Sequence, residues 1–300
     1  MLHLLKNSFF VFLGACCFGI LSTVVKLAYQ EGFLFQEVMI SQFGTGWLIL
    51  LLLMLFFGRQ KVTGKQFLRL AGVGLCTCLT GVTYYLALQS IPASIAVVLL
   101  FQFTWIGVII EAVVKRQWPD KSTVISVIIL FVGTMMAGGM LGAGEIQLNW
   151  KGALLGLTAA LMMALFVFFS GRVETQMSPI TRSFYTSTGG LILLTILFTP
   201  KVYTEISLSD NGLWLFGLIL GVFGVVLPVL LFALGAPKIS TGLATILGAG
   251  ELPVAVIASV LVLSEQVTAL QWIGVIVILL GIAYPQIAAQ KRGGVPAVQR

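Results

Sequence analysis

Ten apolar runs alternate with short clusters of glycine, proline and charge along the chain. They cover residues 8–28, 36–57, 66–90, 93–114, 121–140, 151–171, 180–200, 211–235, 239–263 and 268–288. A helix needs about 20 mostly apolar residues to cross a bilayer. Each run therefore predicts a spanning α-helix, and the whole predicts an all-α integral membrane protein with ten transmembrane helices. The breaks include Gly58-Arg59-Gln60-Lys61, Trp118-Pro119-Asp120-Lys121 and Ala236-Pro237-Lys238. The first run is not read as a cleaved signal peptide. It is long, its polar end at Lys26 lacks a small-residue cleavage pattern, and a second run follows directly.

Charge placement predicts orientation. With the N-terminus cytoplasmic, fourteen of the 17 Lys and Arg residues fall on the cytoplasmic side and only Lys26, Lys151 and Lys201 on the other. Positive charge gathers on the cytoplasmic side of membrane proteins, so both termini are expected there. Losing one helix from the count would scramble the alternation. The net charge of +7 raises the question of nucleic acid. These charges sit in short loops between apolar runs, which argues against it.

Composition agrees. Hydrophobic residues make up 59% of the 300 and charged residues 9%, against about 25% charged in soluble domains. The four cysteines, Cys16, Cys17, Cys76 and Cys78, lie inside apolar runs, and the one histidine is His3. Cys76-Thr77-Cys78 has no second pair at zinc spacing, so no metal site is expected. No His-Glu-x-x-His, Gly-x-Ser or Walker motif is present, and no intramembrane Asp pair. No catalytic residue and no cofactor are expected; an intramembrane enzyme or a receptor is the non-transport alternative.

The chain repeats itself weakly. Laying Leu86-Ala87-Leu88 on Phe232-Ala233-Leu234 gives an offset of 146. It sets Ser94 on Ser240, Trp105 on Glu251 and Lys26 on Arg172; Gly133 meets Gly281 with two residues of slippage. Five helices separate equivalent positions, and an odd number turns the second copy upside down. Such inverted repeats place substrate near the midplane, where the halves meet. The expected divisions are residues 1–145, residues 146–290 and a cytoplasmic tail, 291–300.

The second half carries "GELPVAVIASVLVLSEQVTALQWIGVIVILLGI" from Gly250 to Ile282. An apolar helix with a Glu-x-Pro core is followed by Ser264-Glu265, and Gln271-Trp272-Ile273-Gly274 opens the last helix. In these features the chain resembles the EamA branch of the drug/metabolite transporter superfamily. The first half has Trp105-Ile106-Gly107 and Trp118-Pro119 at the matching places. The resemblance implies a ten-helix, 5+5 inverted bundle that exports or passes small metabolites, often amino acids, without cofactor or ATP.

Glu251 sits thirteenth of twenty-five residues in the ninth run, near mid-membrane at about 1.5 Å per residue. An ionised carboxylate facing lipid there costs several kcal/mol, so it faces protein or water, or carries a proton. Pro253 removes the amide that would bond the Ala249 carbonyl, and Gly248 and Gly250 loosen the helix further. Two readings stand open. Glu251 is a ligand for a proton, a cation or a substrate amine, or it is structural, bonded to a neighbouring helix while Pro253 sets a kink. Pro228 is a second expected hinge or kink.

Polar and aromatic residues inside other runs mark an expected cavity wall: Thr80 and Tyr84 on the third, Phe101, Gln102 and Trp105 on the fourth, Met163 on the sixth. Gln102 and Trp105 are three apart and share a face, which makes that face the expected substrate wall. Gly152-x-x-x-Gly156 and Gly217-x-x-x-Gly221 predict close helix contacts within the bundle. Glu111 and Lys115 predict an i,i+4 pair.

The expected protein is an inner-membrane carrier working by alternating access. Its expected partners are a small-molecule substrate, the lipid bilayer and, with proton coupling, protons, and no nucleic acid. The substrate is an amino acid or related amphipathic solute, or, as the alternative, a nucleoside or drug-like compound exported with proton coupling. The protein would act as a monomer or homodimer.

Overall fold

The computed structural model describes residues 2–58, 60–91, 93–139, 149–198, 212–264 and 266–291, and these residues contain helices and no strand. Arg59, Lys201, Glu265, the junction at 145/146 and the tail from Arg292 lie outside them. The helices are α1 (Leu2–Gln30), α2 (Phe35–Phe57), α3 (Gly64–Leu88), α4 (Ala93–Leu100), α5 (Phe103–Lys115), α6 (Lys121–Ala137), α7 (Trp150–Ser170), α8 (Pro179–Leu197), α9 (Leu213–Gly221), α10 (Leu227–Gly235), α11 (Thr241–Gly248), α12 (Glu251–Leu263) and α13 (Ala269–Lys291). A π-turn, Val222–Val226, joins α9 to α10.

Local sequence explains the starts. Thr63 and Gln66 form a capping box at α3, and Thr268 and Gln271 form the same box at α13. Gln271 of the Gln-Trp pair that opens the last helix thus has a capping role. Ser178, followed by Pro179, caps α8, and Ser240 caps α11.

Each of the ten apolar runs coincides with a helix or with two consecutive helices. Seven stretches are long and apolar enough to cross a membrane: Leu4–Gln30, Phe35–Phe57, Gly64–Ala87, Ile95–Lys115, Trp150–Ser170, Leu213–Lys238 and Thr241–Leu263. Lys121–Ala137 and Ala269–Pro285 are apolar but shorter. α8 stands outside the seven, and its first half carries Thr181, Arg182, Ser183, Thr186, Ser187 and Thr188.

The two halves share their breaks. α4 and α5 correspond to α11 and α12 at a constant step of 148 residues, from Ala93 to Thr241 and from Phe103 to Glu251. Both second members end on a left-handed cap, Arg116 (φ 53°) and Ser264 (φ 54°), again 148 apart. This corrects the offset of 146: Phe103, not Trp105, is the counterpart of Glu251. Sparse identities fix such a register weakly, whereas a helix break fixes it to the residue.

Packing exchanges the halves. α1 packs on α10 and α12, while α7, its counterpart, packs on α3, α4 and α5. α2 packs on α9 as α8 packs on α3. α6 and α13 pack chiefly on each other, where Ser126 donates to the Gly281 carbonyl at 2.6 Å. The glycine pairs act within the bundle as expected. A Cβ on Gly152 or Gly156 would meet Ile91 or Leu99, and one on Gly217 or Gly221 would meet Ser41 or Thr45.

Candidate functional site

At both helix breaks the backbone tightens. At the first, Gln102 N–H bonds the Leu99 carbonyl and Thr104 N–H the Phe101 carbonyl. At the second, Ala249, Gly250 and Leu252 each donate three residues back. The carbonyl that Pro253 strands, Ala249, accepts from Leu252 N–H at 3.3 Å. One of that carbonyl's two acceptor positions is therefore taken within the helix. Pro253 sits buried in the first turn of α12, where a proline costs least.

Glu251 opens α12, and its side chain lines a cavity in the middle of the bundle. Among the described residues it makes no hydrogen bond or ion pair with the protein, so the structural reading finds no bonding partner. α1 approaches its backbone so closely that a Cβ on Gly19 would stand 2.4 Å from the Glu251 carbonyl oxygen.

The cavity is open at its mouth, and together with that mouth its space amounts to ≈ 1070 Å³. Tyr84, Thr80, Phe101 and Met163 join Glu251 on its wall. These are five of the seven residues expected there. Tyr84 and Tyr85 stand side by side, ring centroids 6.1 Å apart. Glu251 brings the one formal charge to the lining, and Ser22, Gln42, Thr77 and Ser187 bring further polar groups.

Gln102 and Trp105 do not line the cavity. Gln102 Nε2 donates to the Val98 carbonyl at 2.7 Å, and its Oε1 accepts from Trp105 Nε1 at 2.6 Å. The pair satisfies itself on its own helix, and Trp105 is 38% exposed on the outside of the bundle. The shared face was read correctly, but it turns outward.

The hinge candidates fall in packed places. A Cβ on Gly248 would reach the Phe103 ring at 2.8 Å, and one on Gly250 the Phe12 ring at 2.5 Å. Pro228 follows the π-turn, where it occupies the first turn of α10. The π-turn itself reaches the cavity through Gly224 and Val225; such turns inside helices recur at functional sites.

Gln42 is the residue sequence reading missed. It is 5% exposed, lines the cavity, and its Oε1 has no hydrogen-bond partner. Gly224 lies so close that a Cβ there would stand 2.5 Å from Gln42 Nε2. A glutamine seven residues into an apolar helix was the available signal. α2 and α8 line the cavity together with the expected helices.

Beyond the cavity, one turn along α7 and α10, Phe166 and Phe232 close the bundle with ring centroids 5.3 Å apart. Polar ties follow at the same end. Glu111 pairs with Lys115 at 2.7 Å and also accepts from Gly242 N–H at the start of α11. Arg172 donates to Thr241 Oγ1 at 2.7 Å, and Arg69 pairs with Glu174 at 3.0 Å.

The sequence matches the EamA-like transporter family twice, over residues 5–139 and 150–284. A solved crystal structure of a protein shares the fold with a TM-score of 0.76 at 16% identity, covering 95% of this chain and 99% of that one. No curated protein matches the chain. The two matches span most of the sequence, one per half, and the chain belongs to the EamA-like transporter family.

Proposed function

We propose that the protein is a secondary transporter that carries amino acids or related amphipathic solutes bearing an amine. The observation that carries this reading is Glu251: a carboxylate on the wall of the central cavity, with no hydrogen-bond or ion-pair partner among the described residues. The walls pair that charge with phenol rings of Tyr84 and Tyr85 and with Phe101 and Met163. Such a surface suits a cationic or zwitterionic head on an apolar body, and it suits a phosphorylated sugar poorly.

In this reading the ten helical runs all cross the inner membrane, five per repeat, with the second repeat inverted. Residues 1–145 and 146–290 form the repeats, and both termini are cytoplasmic. The shorter apolar helices α6 and α13 pack on each other, and α8 packs on α2, α3 and α10 while exposing Ile192, Ile196 and Leu197; both arrangements are compatible with spanning. The cavity then lies from mid-membrane outward, because its α3 residues come from that helix's second half and its α2 residues from near its start. The Phe166–Phe232 contact and the polar ties close the cytoplasmic side. Rocking of the halves would open that side and close the other. Export is the direction proposed, as the resemblance to EamA transporters implies.

The test is reconstitution in liposomes with labelled amino-acid mixtures and their decarboxylated amines, with and without an imposed pH gradient. Saturable uptake of an amine-bearing subset is expected. Uptake no greater than in empty liposomes, with folded protein present, would overturn the reading.

A further inference from the structure

The polar wall of the central cavity consists mainly of acceptors. Ser22, Thr77, Thr80 and Ser187 stand on it. The hydroxyl of each donates to a carbonyl of its own helix: Ser22 to Gly19 at 3.3 Å, Thr77 to Gly74 at 2.9 Å, Thr80 to Cys76 at 2.8 Å and Ser187 to Phe184 at 2.8 Å. A hydroxyl has one proton and two lone pairs. A carbonyl cannot donate, so each proton is used within the helix and only lone pairs remain for a solute. Glu251 adds a carboxylate, which when ionised also only accepts. The side-chain donors that remain on the wall are uncharged: the phenols of Tyr84 and Tyr85 and the amide of Gln42.

Among the described residues no Lys, Arg or His lines the cavity. The cations closest in sequence to lining residues are Arg182 and Lys26. Arg182 turns its guanidinium to backbone carbonyls, Ala233 at 2.8 Å and Ser170 at 2.5 Å. Lys26 is exposed. It lies seven residues along α1 from Gly19, which packs on the Glu251 backbone, and seven residues are about 10 Å of helix. An α-amino acid held by its ammonium at Glu251 carries its carboxylate one carbon away, well short of that end of α1.

This wall treats the two ends of an amino acid differently. A buried charge is costly unless it is paired and hydrogen-bonded. A carboxylate would exchange water for lone pairs and for the like charge of Glu251. An ammonium has three donors and no lone pair, so the same acceptors suit it. The faces of Tyr84, Tyr85 and Phe101 attract a cation as well. Space is present for one. Glu251 is half-buried and borders the cavity, in which water-sized molecules can centre themselves over ≈ 130 Å³. That is at least roughly ten times the room one water needs.

We propose that the cavity selects organic monocations, amines that carry no carboxylate, over zwitterionic amino acids. The proposal rests on the transport reading above and narrows its substrate class. The ammonium meets Glu251, the apolar body lies against the rings and Met163, and a carboxylate on the solute weakens binding.

The experiment uses the full-length protein in a non-ionic detergent. Thermal unfolding is followed at neutral pH and fixed ionic strength with four probes: isoamylamine, leucinamide, leucine and isoamyl alcohol. Leucinamide matches leucine in size and lacks its negative charge. Isoamyl alcohol matches isoamylamine in shape and lacks its positive charge. Isoamylamine and leucinamide should raise the melting temperature saturably. Leucine and isoamyl alcohol should each bind at least about tenfold more weakly than their charged or masked counterparts. Glu251→Gln should bring isoamylamine down to the level of the alcohol. Leucine binding as tightly as leucinamide would overturn the proposal and leave the carriage of amine-bearing solutes standing. The alcohol matching the amine in wild type, or no rise with any of the four, would overturn both.

Discussion

Phe103 lies against Gly248 where the two broken helices cross: a Cβ on Gly248 would stand 2.8 Å from Phe103 Cε2. Phe103 is fully buried, with the Phe101 ring 5.6 Å away. It is also the first-half counterpart of Glu251. One half thus fills the crossing with a ring where the other half presents a carboxylate to the cavity.

Gly248→Ala should destabilise the protein by about 1–3 kcal/mol, the usual effect of overpacking, because a ring buried on all sides has little room to move. Phe103→Leu should restore part of that loss in the double variant, since contacting residues couple by about 0.5–3 kcal/mol. Thermal unfolding of the two single variants and the double variant reads both effects. Strict additivity would deny the contact.

A sharper steric test lies between α3 and α8. A Cβ on Gly74 would fall 1.8 Å from the Thr186 carbonyl oxygen and 2.8 Å from Gly190 N. Backbone cannot yield as a side chain does. Gly74→Ala should cost more than about 4 kcal/mol, in the range kept for severe core lesions, and yield aggregate on size-exclusion chromatography. Gly44, inside α2, has nothing within 4 Å of its position for a Cβ. Gly44→Ala should be neutral or gain about 0.5–1 kcal/mol from helix propensity.

These residues also show what was legible in the chain. The carboxylate at Glu251 could be placed because a lone charge at mid-membrane has few tolerable surroundings. Thr80, Tyr84, Phe101 and Met163 were found by the same logic of polar, aromatic and adaptable side chains inside apolar runs. Gln102 was misplaced because an amide can satisfy itself on its own helix, here on the Val98 carbonyl and Trp105. Periodicity reports a shared face and not its direction. Gly248, Gly250 and Pro253 marked the break at Ala249-Gly250, but nothing marked its counterpart at Phe101-Gln102, so the repeat register slipped by two. Gly248 and Gly250 read as loosening the helix, but nothing in the sequence reveals the Phe103 and Phe12 rings against them.

Gln42 and Trp105 make opposite predictions. Gln42→Leu removes an unpartnered amide oxygen from the cavity wall and should raise the KM for the transported solute roughly tenfold, the weight of about 1.4 kcal/mol. Trp105→Ala, on the outer face, should leave KM within about twofold. Initial rates of uptake over a range of solute concentrations decide it. The reverse ranking would return the site to the Gln102–Trp105 face.

The most direct measurement compares uptake into proteoliposomes by wild type, Glu251→Gln and Trp105→Ala, with the melting temperature of each determined beside it. Glutamine keeps the shape of the side chain, and no protein bond to the carboxylate is lost among the described residues, so Glu251→Gln should fold as wild type does. The account predicts saturable uptake by wild type and by Trp105→Ala, and a fall of at least about tenfold for Glu251→Gln. Undiminished uptake by a folded Glu251→Gln would contradict the claim that the carboxylate in the central cavity meets the solute.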